Sequence, residues 1–447
     1  MLQKIFLPTI LFILTYGFWI SPDFKEISAG VAVFLFGMLF LEQGFKAFTG
    51  GMLERLLQKT TDKLWKSLSF GVVSTTLMQS SSLVSVITIS FLSAGLISLA
   101  AGIGIVFGAN LGTTTGAWLI AGFGLKVKIS AYAMPMLVFG IVLVFQKSEH
   151  LKGIGYVLAG LGFLFLGIHH MKEGFEAFRT TIDLKAFAVE GYPGLFLFAL
   201  LGVAATVIMQ SSHATLVIII TALAAQQITY ENGLALAIGA NVGTTITAII
   251  GSMSSNVQGK RLAAAHLIFN LVTAIIAIAF IYHIVDVVDW FAKSMGIAAD
   301  DYTLKLAVFH TIFNSIGVIV MIPFINLLVN FLTRTMPEKE VTIATPKYLN
   351  EASEAIADTA IESVRKETMH LYDNAFAIIS HGLSLHRHDI LSDRDDSEII
   401  EDSSKPLPVD IDDEYNRNVK GLYSDIVAFI SRAQARMTPE QSNEVFE

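Results

Sequence analysis

Two short polar motifs interrupt long apolar stretches of the chain, and both begin with Gln-Ser-Ser. The first spans Gln79–Ser82 and the second, 131 positions later, spans Gln210–His213. Amide and hydroxyl groups donate hydrogen bonds without carrying a charge. If each motif opens a half-helix, unpaired backbone N–H groups add donors and about half a positive charge. Two such motifs facing each other would hold a dehydrated oxyanion, and the ligands predicted on this basis are Gln79, Ser80, Ser81, Ser82, Gln210, Ser211, Ser212 and His213.

A second motif follows each copy at the same distance and supplies oxygen atoms. Gly108–Thr114 reads Gly-Ala-Asn-Leu-Gly-Thr-Thr, and Gly239–Thr245 reads Gly-Ala-Asn-Val-Gly-Thr-Thr. We expect the Gly-Ala-Asn start to loosen the helix, so that carbonyl and side-chain oxygens become available to a cation such as sodium. The residues predicted to bind sodium or to support the anion site are Asn110, Thr113, Thr114, Asn241, Thr244 and Thr245.

The repeated order of these motifs indicates an internal duplication. A third pair, Gly44–Phe48 and Gly174–Phe178, recurs with an offset of 130, and one residue of slack over about a hundred positions is typical of a repeat. Small and hydroxyl residues in membrane helices can also serve packing alone, but packing does not require two motifs twice in the same order. Polar, glycine-interrupted segments in matching halves of a membrane protein indicate the central binding site of a transporter.

The composition is that of a membrane protein with a soluble C-terminal tail. The 447 residues are 53% hydrophobic and 15% charged, against about a quarter charged in soluble domains, and the mean hydropathy is +0.61. Cysteine is absent, which excludes disulfides and thiolate metal sites. A span needs about 20 apolar residues, and such segments lie near 4–20, 29–48, 98–123, 129–146, 153–178, 232–252, 262–285 and 304–333.

The two segments that carry Gln-Ser-Ser, 67–95 and 195–225, differ from simple spans. Each exceeds the length of one span and has its polar motif near the middle, which predicts a re-entrant hairpin of two half-helices. Three spans then separate the starts of the two repeats, so the repeats should have opposite orientations. The predicted fold is an all-α membrane protein, an inverted-repeat transporter with eight transmembrane helices and two re-entrant hairpins, plus a cytoplasmic helical tail.

Basic residues give the orientation in the bilayer. The basic segment 46–66 belongs on the cytoplasmic side, and both termini then lie in the cytoplasm, whereas Lys126 and Lys128 fall outside, against the rule. Residues 50–66 are too charged to span and predict an interfacial amphipathic helix.

Five segments follow from this topology. Residues 1–28 form an N-terminal transmembrane helix, 29–146 the first repeat, 153–285 the second repeat, 286–336 the final span with its preceding loop, and 337–447 the tail. Apolar residues at helical spacing over 347–388, broken at Glu367, and over 414–437 predict two amphipathic tail helices, with an acidic linker at 391–413. A second protomer could complete their bundle and make a homodimer through the tail. The net charge is −8, and no basic face for nucleic acid is evident.

The paired Gln-Ser-Ser and Gly-Ala-Asn-x-Gly-Thr motifs resemble those of the type II sodium–phosphate cotransporters over roughly 29–333, and 344–447 is more weakly similar to the PhoU-like tail of bacterial members. The resemblance implies sodium-coupled symport of inorganic phosphate by alternating access across the bacterial inner (plasma) membrane. The Gln-Ser-Ser residues would bind phosphate, and no catalytic residue, cofactor or metal beyond sodium is implied. Two alternatives remain open: transport of another oxyanion, and a membrane phosphate sensor that signals through the tail.

His213 departs from the repeat, because it stands where the first motif has Ser82. It either contacts the substrate and adds pH dependence, or is a neutral histidine that donates to a nearby carbonyl. The neighbouring serines do not indicate a hydrolase, since adjacent residues on a helix point in different directions and no Gly-x-Ser-x-Gly turn occurs.

Two further polar features carry histidines. His266–Asn270 and His310–Asn314 both read His-x-x-Phe-Asn, which predicts either a shared lining of the pathway or hydrogen bonds between helices. The pair His169-His170 has no obvious third ligand in the sequence, so we predict no metal site there.

Overall fold

The chain folds into helices, and the computed structural model describes residues 2–49, 63–125, 130–181, 184–337, 344–385, 387–392, 394–404 and 410–445. Within these residues there is no β-strand. Most of the interfacial helix predicted over 50–66 lies outside the described residues, as do Lys126 and Lys128.

The apolar part of the chain is a succession of helices with short connections. Three irregular helical turns lie between the described helices of this part. One follows Trp118 at Leu119–Gly124, one lies at Leu184–Phe187, and one follows Met321 at Ile322–Phe324. The helices are α1 (Leu2–Ile20), α2 (Pro22–Thr49), α3 (Leu64–Met78), α4 (Ser81–Ser93), α5 (Leu99–Trp118), α6 (Ser130–Val144), α7 (Glu149–Thr181), α8 (Gly191–Met209), α9 (Ser212–Ala224), α10 (Tyr230–Gly243), α11 (Thr245–Met253), α12 (Val257–Ala279), α13 (Ile281–Ser294), α14 (Tyr302–Met321) and α15 (Ile325–Thr335).

Among the described residues, seven helical segments are long and apolar enough to cross a membrane: Pro22–Phe45, Leu99–Gly122, Glu149–Arg179, Gly191–Met209, Tyr230–Met253, Val257–Ala279 and Tyr302–Thr335. Six coincide with predicted spans, and the other is α8, which we predict to be the first arm of the second hairpin. The spans predicted at 4–20 and 129–146 correspond to shorter apolar helices, Pro8–Ile20 and Tyr132–Val144. The span predicted at 262–285 is interrupted at Phe280, which separates α12 from α13.

The described chain divides into two compact units. Unit 1 comprises Met1–Ser85, Ile103–Ala248 and Ala264–Leu328, and it holds both Gln-Ser-Ser motifs. Unit 2 comprises Val86–Gly102, Ile249–Ala263 and Val329–Glu447. Helix α4 therefore begins in unit 1 and ends in unit 2.

Helices α2 and α7 of unit 1 pack against each other along a seam of glycines. A Cβ on Gly37 would lie 2.5 Å from the backbone nitrogen of Leu164, and a Cβ on Gly167 would lie 2.5 Å from that of Phe34. No side chain fits at such positions, so glycine is what allows the two backbones to touch. The seam repeats every seven residues, with Gly30, Gly37 and Gly44 on α2 and Gly153, Gly160, Gly167 and Gly174 on α7.

This seam relates the two repeats by a pseudo-two-fold axis. Gly37 and Gly167 are equivalent positions at the offset of 130, and so are Gly30 and Gly160. Gly30 contacts Gly167, and Gly37 contacts Gly160, so exchanging the repeats reproduces the same two contacts. Along the seam, residue numbers rise on α2 as they fall on α7. The two equivalent helices therefore run antiparallel, as equivalent helices of inverted repeats do.

A second glycine seam joins each Gly-Ala-Asn helix to the helix that precedes Gln-Ser-Ser. A Cβ on Gly108 would overlap the carbonyl oxygen of Leu68, and a Cβ on Gly239 would overlap that of Ala199. These glycines therefore bring α5 against α3 and α10 against α8. The expectation that they loosen the helix is wrong in the first repeat, where α5 continues unbroken through Gly108; in the second, Thr244 separates α10 from α11.

The tail lies in unit 2 and is a series of short and medium-length helices. They are α16 (Glu351–Glu354), α17 (Ala357–Gly382), α18 (Arg387–Ile390), α19 (Asp396–Ser403), α20 (Ile411–Tyr415), α21 (Gly421–Ala433) and α22 (Pro439–Glu444). Helices α17 and α21 pack through Ala360, Val364, Ile426 and Phe429. Helix α19 lies inside the segment predicted to be an acidic linker.

Glu367, which breaks the apolar stripe of α17, has a structural role. Its side chain is fully buried, and its Oε2 accepts hydrogen bonds from the backbone amides of Lys347 at 2.8 Å and Tyr348 at 2.7 Å. Its Oε1 lies 2.6 Å from His370 Nδ1. Hydrogen bonds to an ionised group are among the stronger ones, so this carboxylate holds the segment before α16 against α17.

The second glycine seam can be tested with two substitutions on one helix. Gly239→Ala should lower the thermal unfolding temperature in detergent, because the new methyl group pushes α10 away from α8, and such overpacking costs about 1–3 kcal/mol. In the control Gly233→Ala, the Cβ would lie 3.6 Å from Ile228 Cδ1, an ordinary contact. Alanine favours a helix over glycine by roughly 1 kcal/mol, so the control should unfold at the wild-type temperature or slightly above. Equal unfolding temperatures for both variants would contradict the seam.

Candidate functional site

Each Gln-Ser-Ser motif forms the junction between two helices: α3 meets α4 in the first motif, and α8 meets α9 in the second. The glutamine at each junction has a left-handed backbone, with φ 50° at Gln79 and φ 53° at Gln210. This conformation costs a residue other than glycine about 1–2 kcal/mol, and backbone strain of this kind concentrates at functional sites. The helices break at the positions predicted for the hairpin tips.

The first serine of each motif caps the helix that follows it. Ser80 Oγ accepts a hydrogen bond from the amide of Leu83 at 3.3 Å, and Ser211 Oγ accepts one from the amide of Ala214 at 3.2 Å. The amides of the next two residues in each motif then have no acceptor within the helix, and the capping serine still has an O–H to donate. Each junction is therefore a helix N-terminus of the type that binds anions.

Each junction contacts a helix of the opposite repeat, and the two contacts involve equivalent positions. Ser82 Oγ and Thr247 Oγ1 are hydrogen-bonded at 3.1 Å, and the imidazole of His213 occupies the space that a Cβ on Gly116 would need. Ser82 and His213 are equivalent positions at the offset of 131, and so are Gly116 and Thr247. The larger side chain at His213 fits because its partner is glycine rather than threonine.

The first and second motifs meet at Gly116. A Cβ there would contact the His213 ring and would lie 3.1 Å from Gln79 Oε1. His213 is buried, and within the described residues its Nε2 has no hydrogen-bond partner. The structure thus places Gln79 of the first motif and His213 of the second on either side of one glycine.

The two glutamines differ in their surroundings. Gln79 Nε2 donates to the Thr76 carbonyl oxygen at 2.6 Å and to Thr115 Oγ1 at 3.1 Å, whereas Gln210 is exposed. Ile246 occupies the position equivalent to Thr115, so the second repeat lacks the hydroxyl that holds the first glutamine. The difference between Thr115 and Ile246 is therefore visible in the sequence itself.

Asn241 is held by two residues of α14 that we did not assign to the site. Its Nδ2 donates to Asn314 Oδ1 at 2.7 Å, and its Oδ1 lies 3.0 Å from His310 Nε2. All three side chains are buried. The sequence signal was the His-x-x-Phe-Asn motif, and for this copy the interpretation as hydrogen bonds between helices is the one that the structure shows.

The first repeat has a related but incomplete arrangement. Asn110 Nδ2 donates within its own helix to the Val106 carbonyl oxygen at 2.9 Å. The other His-x-x-Phe-Asn copy approaches α5 through Phe269, whose ring centroid is 4.2 Å from that of Phe107. Within the described residues, both ring nitrogens of buried His266 and the Oδ1 of buried Asn270 lack a partner.

The predicted threonines all bond to nearby backbone, two of them within α5 and two of them to the last turn of α10. Their hydroxyls donate to carbonyl oxygens three or four residues earlier at 2.8–3.0 Å, which leaves the hydroxyl lone pairs as acceptors. These threonines are Thr113, Thr114, Thr244 and Thr245.

A family model described as Na+/Pi-cotransporter matches residues 33–173 and 194–319. The chain belongs to the Na+/Pi-cotransporter family. One Gln-Ser-Ser motif lies in each matched segment, so the resemblance inferred from the motifs is confirmed. The family transports phosphate and sodium, and the apolar helices agree with a multi-pass membrane protein.

Relatives share this part of the chain at low identity. The "Uncharacterized protein YqeW" of Bacillus subtilis is 27% identical over 259 residues, which cover 57% of this chain and 82% of that protein. The "Putative inorganic phosphate export protein YjbB" of Escherichia coli K12 is 26% identical over 259 residues, covering 58% of this chain and 47% of that protein. The protein of the same name from Salmonella typhimurium is 25% identical over 266 residues, covering 59% and 48%. The match thus spans about half the length of the YjbB proteins. No solved structure matches the chain significantly.

The paired contacts at the junctions predict a compensating double substitution. Gly116→Thr alone should lower the thermal unfolding temperature, because the new side chain collides with His213. Adding His213→Ser recreates the Ser–Thr pair of Ser82 and Thr247, so the double variant should unfold close to wild type. Contacting residues show coupling energies of about 0.5–3 kcal/mol. Simple addition of the two single effects would show that the contact is not formed.

Proposed function

We propose that the protein is a sodium-coupled symporter of inorganic phosphate that works by alternating access. The observation that carries this proposal is that each of the two capped helix N-termini contacts the opposite repeat, through Ser82 with Thr247 and through His213 with Gly116. Together these junctions offer amides, hydroxyls and an imidazole to one oxyanion. Phosphate is the oxyanion that family membership indicates.

The proposed phosphate site uses neutral donors. The segments 74–85, 110–116, 206–215 and 241–247 contain no Asp, Glu, Lys or Arg. The free amides at the start of α4 and α9 bind phosphate oxygens, as helix N-termini do, and the serine hydroxyls and Gln79 add donors. His213 Nε2, in the first turn of α9, is buried and has no hydrogen-bond partner among the described residues, and it donates or accepts according to its tautomer. A neutral site avoids the cost of a permanent charge in the membrane.

Sodium is proposed to bind beside the phosphate at the Gly-Ala-Asn segments. Sodium needs oxygen ligands, which broken helices and side-chain oxygens supply in secondary transporters. The four threonine hydroxyls already donate to nearby carbonyl oxygens, so their lone pairs are left as acceptors for sodium. Asn110 and Asn241 belong to the same segments; the bonds of Asn241 to α14 give it a supporting role.

The topology completes the proposal. Eight helices cross the bacterial inner membrane, α3–α4 and α8–α9 form re-entrant hairpins, and both termini lie in the cytoplasm. Symport is reversible, so the sodium and phosphate gradients determine the net direction. The YjbB relatives are named for phosphate export, and measurement under both gradient directions decides which direction applies here.

A phosphate sensor is the second candidate. It is favoured by a hydrogen bond within unit 2 from Ser90 Oγ, near the end of α4, to the tail carbonyl oxygen of Ala352 at 2.6 Å. A sensor would bind phosphate without accumulating it.

Selectivity among oxyanions is tested by competition with arsenate and sulfate, because a site of neutral donors can bind several oxyanions.

The glutamines provide the functional test. Gln79→Ala and Gln210→Ala should each reduce sodium-dependent uptake of labelled phosphate into proteoliposomes at least tenfold, because each removes a donor at a junction. Gln226→Ala is the matched control, since Gln226 is also left-handed, with φ 56°, and exposed, but lies beyond the end of α9. The control should transport at the wild-type rate.

Two results would count against this proposal. Full uptake by both junction variants would remove the glutamines from the site. Phosphate binding by the wild type with no accumulation under either sodium gradient would favour the sensor.

A further inference from the structure

Three potential metal ligands converge at one end of the α2–α7 seam. Glu26 near the start of α2, and His170 and Glu173 near the end of α7, each bring one ligand atom, and these atoms lie within 4.8 Å of one another. Glu26 Oε1 is 2.6 Å from His170 Nδ1. His169 Nε2 is 3.3 Å from Glu173 Oε1. Of the pair His169-His170, only His170 belongs to this cluster, and Glu26 joins it from the facing helix.

We propose that Glu26, His170 and Glu173 bind a divalent transition-metal ion such as zinc. One imidazole and two carboxylates with an open fourth position form a suitable ligand set for zinc. His170 and Glu173 are three residues apart and therefore share a helix face. Ligands from facing helices are typical of metal sites in helix bundles, and His169 would orient Glu173 from the outer shell.

Helix packing fixes the separation of these ligands. A Cβ on Gly30 would lie 2.7 Å from the backbone nitrogen of Met171, and a Cβ on Gly174 would lie 2.9 Å from that of Ile27. The backbones therefore touch around the cluster. Ligand atoms of a tetrahedral zinc ion are about 3.4 Å apart, so the Glu26–His170 pair must open slightly on binding, which side-chain rotation allows.

A metal ion must replace the hydrogen bond that joins two of these ligands. Glu26 Oε1 and His170 Nδ1 are 2.6 Å apart, and a bound ion would take a lone pair from each atom. The His170 and Glu26 side chains are 35% and 45% exposed, so an ion can reach them.

Zinc titration of the purified full-length protein tests the site without measuring transport. Zinc chloride should bind once per chain by calorimetry and raise the thermal unfolding temperature, and EDTA should reverse the change. Glu26→Gln and His170→Ala should each weaken binding at least tenfold, because each removes one ligand. His283→Ala removes an exposed histidine of α13 and should leave zinc binding unchanged.

Two outcomes would overturn the metal site. Zinc binding that is unchanged in Glu26→Gln and His170→Ala would place the ion elsewhere. If these variants lower the unfolding temperature while zinc affects none of the proteins, wild type included, the cluster is an ion pair only.

A separate observation concerns the tail, which contacts the far end of α4. Within unit 2, Ser90 Oγ donates to the Ala352 carbonyl oxygen at 2.6 Å, and Lys366 Nζ donates to the Gly95 carbonyl oxygen. Burial lowers the pKa of the Lys366 ammonium group. The tail thus holds both α4 and the turn that follows it.

The α11–α12 connection joins the same cluster through Asn256. Its Nδ2 donates to the Ser93 carbonyl oxygen at 2.9 Å and to that of Lys347 at 3.4 Å. In the second repeat the position equivalent to Ser90 is Thr221, whose hydroxyl donates to its own helix, to the Val217 carbonyl oxygen at 2.7 Å. The tail contact at Ser90 therefore breaks the repeat symmetry.

We infer that the docked tail restrains α4 and thereby slows transport, an inference that rests on the proposed function. Helix α4 has 13 residues and is about 20 Å long. Its first turn carries Ser81 and Ser82, and its last turn is held by the tail. Because alternating access moves one repeat against the other, a restraint at one end of this helix limits movement at the other.

The absence of native cysteine permits a disulfide test in the full chain. Ser90→Cys/Ala352→Cys should cross-link on oxidation, and the oxidised protein should take up phosphate at least tenfold more slowly than the reduced protein. Reduction should restore uptake. The single variant Ser90→Cys controls for oxidation and should not respond.

The outcomes separate the restraint from the proposed function. Full uptake by cross-linked protein would overturn the restraint, and failure to cross-link would overturn the docking. Absence of uptake in wild type and in both reduced variants would contradict phosphate transport itself.

Discussion

A polar group inside a bilayer must find its partners within the protein, and this constraint governs the site. Each break at Gln-Ser-Ser frees backbone amides, which lipid could not hydrogen-bond. A serine caps each new helix, Ser80 for α4 and Ser211 for α9, and each break contacts the other repeat. The amides that remain without an acceptor are the groups that an anion can satisfy. The feature that would be costly in lipid is therefore the one that we propose as the anion site.

Backbone contact between helices positions the two breaks. Lipid tails provide little drive for helices to associate, so close packing of small residues must supply it. The Gly30–Gly167 and Gly37–Gly160 contacts bring equivalent helices together on the pseudo-two-fold axis. Gly108 and Gly239 then set each hairpin arm against the helix that carries Gly-Ala-Asn. A misplaced methyl group at any of these positions would separate the elements that position the junctions.

The repeat made much of this predictable from sequence. Motif duplication located both helix junctions, because a break recurring at one offset reflects a constraint that both halves share. It did not identify Thr247 and Gly116, which contact the junctions from the opposite repeats. The glycine of Gly-Ala-Asn was misinterpreted in the first repeat, since close packing and helix loosening both favour glycine and only the facing backbone distinguishes them. The partners of Asn241 were also missed: His310 and Asn314 lie outside the repeat, and their approach depends on tertiary packing. Glu26 was missed for the same reason, because only the α2–α7 seam brings it to His170.

Differences between the two repeats affect the relative free energy of the conformations that the protein can adopt. If two inverted repeats had identical sequences, exchanging their conformations would give two states of equal free energy, one open to each side. Here the junction contacts differ: Thr115 holds Gln79 while Ile246 leaves Gln210 exposed, and a His–Gly contact replaces the Ser–Thr contact of the other half. Under the alternating access that we propose, exchanging the conformations of two repeats with different contacts would give two states of unequal free energy. A ligand can shift such an equilibrium only by binding the two states with different affinity. If phosphate and sodium bind at these junctions as proposed, each must therefore bind the two states with different affinity, although one duplicated motif formed both junctions.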